Sequence, residues 1–510
     1  MSRSPALTRL LVLLCVSAPS FMLQLDANIV AVSLPSISHS LRAGFTDIEW
    51  VITAYTLSFA SLVLPAGALA DRFGRKPVLL IGLAVFTLAS FLCGIAPNLA
   101  VLVGARALQG VGAALQLSAG LATLSHTFRG EARGRAFAFW GSVIGAGISL
   151  GPIIGGFITQ AFGWAWAFYI NLPIGAAMIL LSLYVIEDSR DPDARQVDVA
   201  GVISFSGFLF LTTLGLISGN HRGWSDRAVI AELLGALAFL ALFVAAETMQ
   251  RRPMLDFSFF RKPTYLGANI AGLAYAAGLL TMLTFVPIFL QSGLGYPPRT
   301  AGLMMLPMAL PLFIVPRIVA TQLAHRLTGR MLLTAGLAIV SLGLVLMGLA
   351  AGRLAYLPLL AGMLATGVGA GILNGEIAKV SMTVIPPERA GMASGMAGTV
   401  RFSGLVIGFA ALGAVLFARI SAGVSAGLAD AGATERLGFI RRVAAGDLSG
   451  AGALTAPRAL LHALALRSFS QGYEALLFSA AALTGVSAVL TWRLVRAADT
   501  LPIPRRAAAD

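Results

Sequence analysis

Charge is what this 510-residue sequence has least of: Asp, Glu, Lys and Arg make up 11% of it, against about 25% in soluble globular proteins. An ordinary soluble enzyme is excluded, because a water-facing surface for a chain this long needs far more charge. Cysteine is nearly absent. Cys15 and Cys93 stand alone in apolar runs, so neither a disulfide framework nor a zinc site is expected, and no cofactor or metal is assigned. The three lysines, Lys76, Lys262 and Lys379, precede Pro77, Pro263 and Val380. A Walker A loop needs Lys followed by Ser or Thr, so the chain cannot hydrolyse ATP through one.

What the sequence does have is apolar residues, 57% of the total, and 56 glycines. Small residues let membrane helices approach closely. Fourteen apolar stretches are long enough to cross a bilayer: 10–34, 47–70, 77–96, 99–125, 136–160, 166–186, 199–219, 228–248, 264–291, 300–324, 331–351, 354–382, 392–418 and 472–492. The first outruns a signal peptide, since its apolar run continues past Asp26 to Leu34. The formal net charge of +14 is assigned to cytoplasmic loops rather than to nucleic acid. With the N-terminus inside, Lys and Arg outnumber those on the other side about twofold, which places both termini in the cytoplasm. The expected location is the inner cell membrane.

The sequence also repeats. Gly67-Ala-Leu-Ala-Asp71-Arg72-Phe-Gly74-Arg75-Lys76 follows the second stretch, and a worn copy, Ala320 to Arg330, follows the tenth. The expected fold is therefore an all-α integral membrane protein with 14 transmembrane helices. It comprises an N-terminal six-helix half (1–190), an inserted helix pair (191–250), a C-terminal six-helix half (251–495) carrying an external loop at 421–470, and a cytoplasmic tail (496–510). Two such halves around a central site form a transporter architecture.

A few polar groups stand where lipid-facing segments should have none. Arg106, in the fourth stretch, costs at least about 2.5–3.5 kcal/mol to insert and must face a polar cavity or a partner. It cannot titrate near neutral pH, so its expected role is to influence a neighbouring carboxylate or to organise water, or else it is a structural cation capped by carbonyls. Asp26, in Leu25-Asp26-Ala27-Asn28, is the proton-site candidate, with Gln24, Asn28 and Ser33 as expected partners; the alternative is a permanently paired structural carboxylate. In Asn374-Gly375-Glu376-Ile-Ala-Lys379 the acid and base are three residues apart on one helical face. They form either a proton- or cation-releasing pair or a locked ion pair. Gly147, Gly151 and Gly155 recur at four-residue spacing with Pro152 and Gly156, a smooth face for close helix contact. Gln109 and Gln116 add polar groups to the fourth stretch.

These segments resemble the fourteen-span drug:proton antiporters of the major facilitator superfamily, over nearly the whole length. The resemblance implies that Gly67, Asp71, Arg72, Gly74, Arg75 and Lys76 form a conformational loop, and that Gly147, Gly151, Pro152, Gly155 and Gly156 form the element found in exporters. It implies a proton-transfer role for Arg106, to which the residue reading adds Asp26, Glu376 and Lys379 as proton-coupling candidates. A substrate cavity lined by Gln24, Asn28, Gln109, Gln116 and Asn374 is expected. Trp164 to Pro173, including Asn171, resembles the bridge into the sixth span, with Ala165 where Arg is usual, and Ala27 stands where Thr or Ser is common. Arg401 matches a recurring position in the thirteenth span. The implied activity is outward transport of small hydrophobic or cationic molecules against inward protons. The expected partners are the substrate, protons and the lipid bilayer, with a periplasmic adaptor left open. A dedicated single-metabolite transporter on the same scaffold is the alternative. A transport-like membrane receptor is a more remote one.

Overall fold

The computed structural model describes residues 5–43, 45–128, 130–189, 199–249, 257–385, 390–428, 433–444, 446–448 and 457–500. A backbone in hydrocarbon must satisfy every N–H and C=O internally, which a helix does within one segment. The described residues accordingly form helices joined by short turns, with no strand among them. The helices are α1 (Pro5–Leu41), α2 (Phe45–Phe73), α3 (Arg75–Gly94), α4 (Leu99–Thr127), α5 (Gly130–Phe162), α6 (Asn171–Val185), α7 (Val199–Arg222) and α8 (Arg227–Met249). There follow α9 (Pro263–Gly293), α10 (Leu306–Leu323), α11 (Gly329–Ala351), α12 (Tyr356–Met382), α13 (Ala390–Gly427), α14 (Ala433–Ala444) and α15 (Arg458–Leu494).

Thirteen helices among the described residues are long and apolar enough to cross a membrane. The remaining expected span, 47–70, lies within α2, whose 29 residues extend about 43 Å at 1.5 Å per residue. Helix starts follow local chemistry: the Asn98 side chain accepts from Val101 N at 3.0 Å, and Thr328 accepts from Met331 N at 3.3 Å.

The chain divides into two compact units, Met1–Met254 with Tyr296–Leu303, and Leu255–Gly295 with Met304–Asp510. In the first, α2 and α3 pack on α4, α1 packs on α5, and α6 closes against α1 and α3. Gly147 and Gly155 do what their spacing predicts. A Cβ added at Gly147 would lie 3.0 Å from Gln24 Cβ, and one at Gly155 would lie 2.8 Å from Ile29 Cα. Gly151 meets Asn28 in the same way, and Gly156 on the other side meets Pro298 and Arg299. Pro152 sits inside a continuous helix.

In the second unit, α11 packs on α12 and α15, and α13 packs on α15. Here α9 contains two π-helical turns, Tyr275–Leu280 and Phe289–Gly293. The worn repeat opens in a third, Val319–Leu323.

Two expectations need correction. The 421–470 segment is not a continuous loop, because α13 runs to Gly427, α14 covers Ala433–Ala444 and α15 begins at Arg458. Leu461, Ala465 and Phe469 repeat on a helical face and are buried, so the packing of that face outweighs the charges of Arg458 and Arg467. Nor is the helix through Asn374 and Gly375 regular: Asn374 has φ −67 and ψ 109, and Gly375 has φ 97 and ψ −39.

Candidate functional site

Polar groups of the first unit converge on the Asp26 carboxylate, which has no exposed surface, while the Arg106 side chain is 1% exposed. Arg106 Nη1 donates to Asp26 Oδ2 at 2.7 Å. The other carboxylate oxygen, Oδ1, accepts from Gln109 Nε2 at 3.0 Å and from Asn171 Nδ2 at 2.7 Å. Ser90 Oγ, from α3, accepts from the same two amides at 2.8 and 3.3 Å.

The guanidinium is held independently of the carboxylate. Its Nε donates to the Val51 carbonyl of α2 at 2.9 Å and its Nη1 also reaches Gln109 Oε1 at 2.6 Å. Its carbon lies 4.2 Å from the Tyr55 ring centroid and 5.8 Å from that of Phe168. Five helices, α1, α2, α3, α4 and α6, therefore meet at one buried ion pair. Breaking such a pair by removing one partner costs about 3–5 kcal/mol, because the other charge is left without compensation.

The network is not the one expected around Asp26. Asn28 Nδ2 instead donates to the Gln24 carbonyl at 2.8 Å. Ser33 Oγ donates to the Ile29 carbonyl at 2.9 Å and pairs with Thr159. Residues two apart on a helix point to different faces, so Gln24 and Asn28 serve the α5 contact. Asn171 is the residue that sequence reasoning passed over. It was noticed only as part of the bridge into α6, and its one available signal was a neutral amide at the head of an apolar span. Gln116 is buried with neither amide atom partnered.

In the second unit, Lys379 Nζ donates to both oxygens of Glu376, at 3.0 and 3.1 Å. Glu376 is buried and Lys379 is partly exposed. The break at Asn374 and Gly375 immediately precedes the pair, so the backbone irregularity and the charges occupy one turn. Arg401, from α13, stacks 4.9 Å from the Tyr275 ring centroid, at the first π turn of α9.

The signature loop joins α2 to α3 and leans on the end of α6. Lys76 Nζ donates to the Leu183 carbonyl at 2.7 Å and Arg75 N to the Ser189 carbonyl at 3.0 Å. Gly74 turns the chain at φ 108 with the Asp188 carboxylate against it, which leaves no room for a Cβ. Arg72 is exposed beside Phe73, and Gly67 lies within α2. The Asp71 side chain lies outside the described residues. Among the described residues no cluster of three or more His, Cys, Asp or Glu could hold a metal ion.

Long apolar helices around a buried ion pair are the architecture of a multi-pass membrane protein. The sequence profile described as Major Facilitator Superfamily matches residues 17–409, and the chain belongs to that family. It is 37% identical over 416 residues to the multidrug resistance protein Stp of Mycobacterium tuberculosis, covering 81% of this chain and 77% of that one. It is 32% identical to the multidrug efflux pump LfrA of Mycolicibacterium smegmatis, over 87% of this chain and 89% of that one. To the probable actinorhodin transporter of Streptomyces coelicolor it is also 32% identical, over 81% and 73%. Among solved structures, a bacterial homologue of the human lysosomal transporter Spinster, inward-facing and occupied, matches with a TM-score of 0.64 at 13% identity, over 98% of this chain and 99% of that one. That likeness is one of fold.

Proposed function

We propose that the chain is a proton-coupled exporter of small hydrophobic or cationic organic molecules, working by alternating access between two six-helix halves (1–190 and 251–495) with both termini in the cytoplasm. The names of the relatives support outward transport of drugs. The observation that carries the coupling is the Asp26–Arg106 pair, shared between α1 and α4 and closed by Gln109 and Asn171. Arg106 stays charged, so Asp26 is the member of the pair that can change its charge. A proton on Asp26 removes an acceptor and leaves the Arg106 charge unbalanced in the interior, so protonation and the packing of α1 against α4 are linked. Glu376 and Lys379 offer a second such pair beside a break in α12. In the first unit Gln116, buried with neither amide atom partnered, is proposed to line the substrate path.

The driving force is sufficient. One charge moving down about 100 mV yields about 2.3 kcal/mol, and each pH unit adds about 1.4 kcal/mol per proton. Everted membrane vesicles containing the full chain should accumulate ethidium when an inward-acid pH gradient is imposed, and Asp26→Asn should abolish the accumulation at unchanged protein level. Ethidium accumulation by the wild-type chain that does not depend on the gradient would overturn the coupling. Normal accumulation by Asp26→Asn would overturn the residue assignment.

A dedicated exporter of one compound is the second reading. It is favoured by relatives named for single compounds, the probable actinorhodin transporter and the tetracenomycin C resistance and export protein of Streptomyces glaucescens. Protection of cells against one compound in a panel of unrelated ones supports this reading, and protection against several supports multidrug efflux.

A further inference from the structure

The first unit buries a second carboxyl that the Asp26 network does not use. Glu49 lies in the second turn of α2 and is 5% exposed. Its Oε1 is buried without a hydrogen-bond partner, and one helical turn on, at the same face, Thr53 Oγ1 is also buried and unpartnered. Among the described residues no salt bridge reaches Glu49.

At this end of α2 the side chains of His39, Arg42 and Asp47 are exposed to the surroundings, while the buried titratable groups on the elements packed against α2 are otherwise engaged. Arg106 of α4 is bonded to Asp26, Gln109 and the Val51 carbonyl. Asp26 of α1 is closed by Arg106, Gln109 and Asn171, and Cys93 of α3 approaches Gln109. The helix α7, which meets α2 through Trp50 and Phe210, has no titratable residue before His221. The positive end of the α2 dipole is felt within its first turn, which Glu49 lies beyond. A bare carboxylate here would be taken out of water with no counter-charge to offset the loss, whereas a neutral carboxylic acid costs far less and can donate to a neighbour.

We propose that Glu49 holds a second coupling proton, separate from Asp26, with Thr53 as its hydrogen-bonding neighbour, taken up and released as the surroundings of α2 change during transport. The proposal rests on the proton-coupled reading above and deepens it, from one candidate proton site in this unit to two. It makes a quantitative difference, because a gradient of about one pH unit sustains about tenfold accumulation for each coupled proton.

The test uses the full chain reconstituted in liposomes with the membrane potential clamped at zero and ethidium as the probe. Glu49→Gln, which mimics the protonated acid, should lower the steady accumulation by about tenfold per pH unit of gradient while leaving ethidium exchange across the membrane intact. Accumulation by Glu49→Gln with the wild-type dependence on the gradient would overturn the proposal. Dicyclohexylcarbodiimide, which adds to protonated carboxyls in apolar surroundings, supplies a measurement on the wild-type chain that needs no variant to fold. Peptide mass spectrometry should find Glu49 labelled, with labelling falling as the pH is raised. An unlabelled Glu49 sinks the proposal even if transport is proton-coupled. If wild-type transport ignores the pH gradient, the coupled-export reading fails instead, and the coupling role of Glu49 fails with it.

Discussion

At the scale of single residues, what distinguishes this chain is how Arg106 spends its donors. Its Nε is committed to a backbone carbonyl and its Nη1 to a carboxylate and an amide, a fork that the single ammonium of lysine cannot reproduce. Arg106→Lys should therefore keep the charge and still lose most ethidium transport, with a lowered thermal midpoint in detergent; transport at the wild-type level would show that charge alone suffices. Asn171 gives a second prediction. Asn171→Ala removes one of the donors to the buried carboxylate, at a cost of about 1–3 kcal/mol, and should displace the pH profile of transport, which a residue acting only as a spacer would leave in place. Asp26 and Arg106 were legible in the sequence because a charge inside an apolar run is conspicuous and costly. Asn171 was not, because a neutral amide is tolerated in many places and its partner lies 145 residues away. The expected partners Gln24 and Asn28 failed because neighbours in sequence are not neighbours on a helix.

At the scale of elements, two features set the geometry. The glycine face of α5 brings it against the backbone of α1, and at Gly155 the obstacle to any side chain is Ile29 Cα, which cannot swing aside. Gly155→Leu should push α1 from α5 and reduce transport and thermal stability together, whereas at Gly67, where no atom lies within 4 Å of an added Cβ, Gly67→Ala should leave stability unchanged. The break in α12 is of another kind. Nothing lies within 4 Å of a Cβ added at Gly375, so Gly375→Ala acts through the backbone alone, at about 1–3 kcal/mol for a side chain held at an unfavourable positive φ, and should alter transport by displacing Glu376 and Lys379 with little loss of packing. The glycine spacing was visible as a pattern in the sequence. The break was not, since Asn-Gly within an apolar run is also compatible with an unbroken helix. The helical start of α15 falls on Leu460 to Leu466, which the sequence shows as partly amphipathic, and the face that packs carries Leu461, Ala465 and Phe469.

At the scale of the whole molecule, the proposed cytoplasmic position of both termini makes a prediction about which side of the membrane each loop faces. Cysteines introduced at the exposed Ala498 and at Asp226, between α7 and α8, should react with a membrane-impermeant maleimide from opposite sides, Ala498→Cys from the cytoplasm and Asp226→Cys from outside. The native Cys15 and Cys93 are buried and add little background. Labelling of the C-terminal position from outside and of Asp226→Cys from the cytoplasm would reverse the assignment of the termini, and labelling of both from one side would overturn the count of spans between them.

The sequence by itself determined that this chain is a bundle of membrane helices, where most of them run, and which charges are out of place among them. These follow from composition and periodicity, because in hydrocarbon the backbone has few alternatives to a helix and every buried charge is expensive. Only the tertiary structure decided which helices share the Asp26 carboxylate, that Asn171 completes its shell, that Glu49 is buried without a counter-charge and that α12 breaks before Glu376. Those facts depend on how distant segments pack side by side, and hydropathy, which records only how much each segment prefers lipid to water, carries no information about its neighbours.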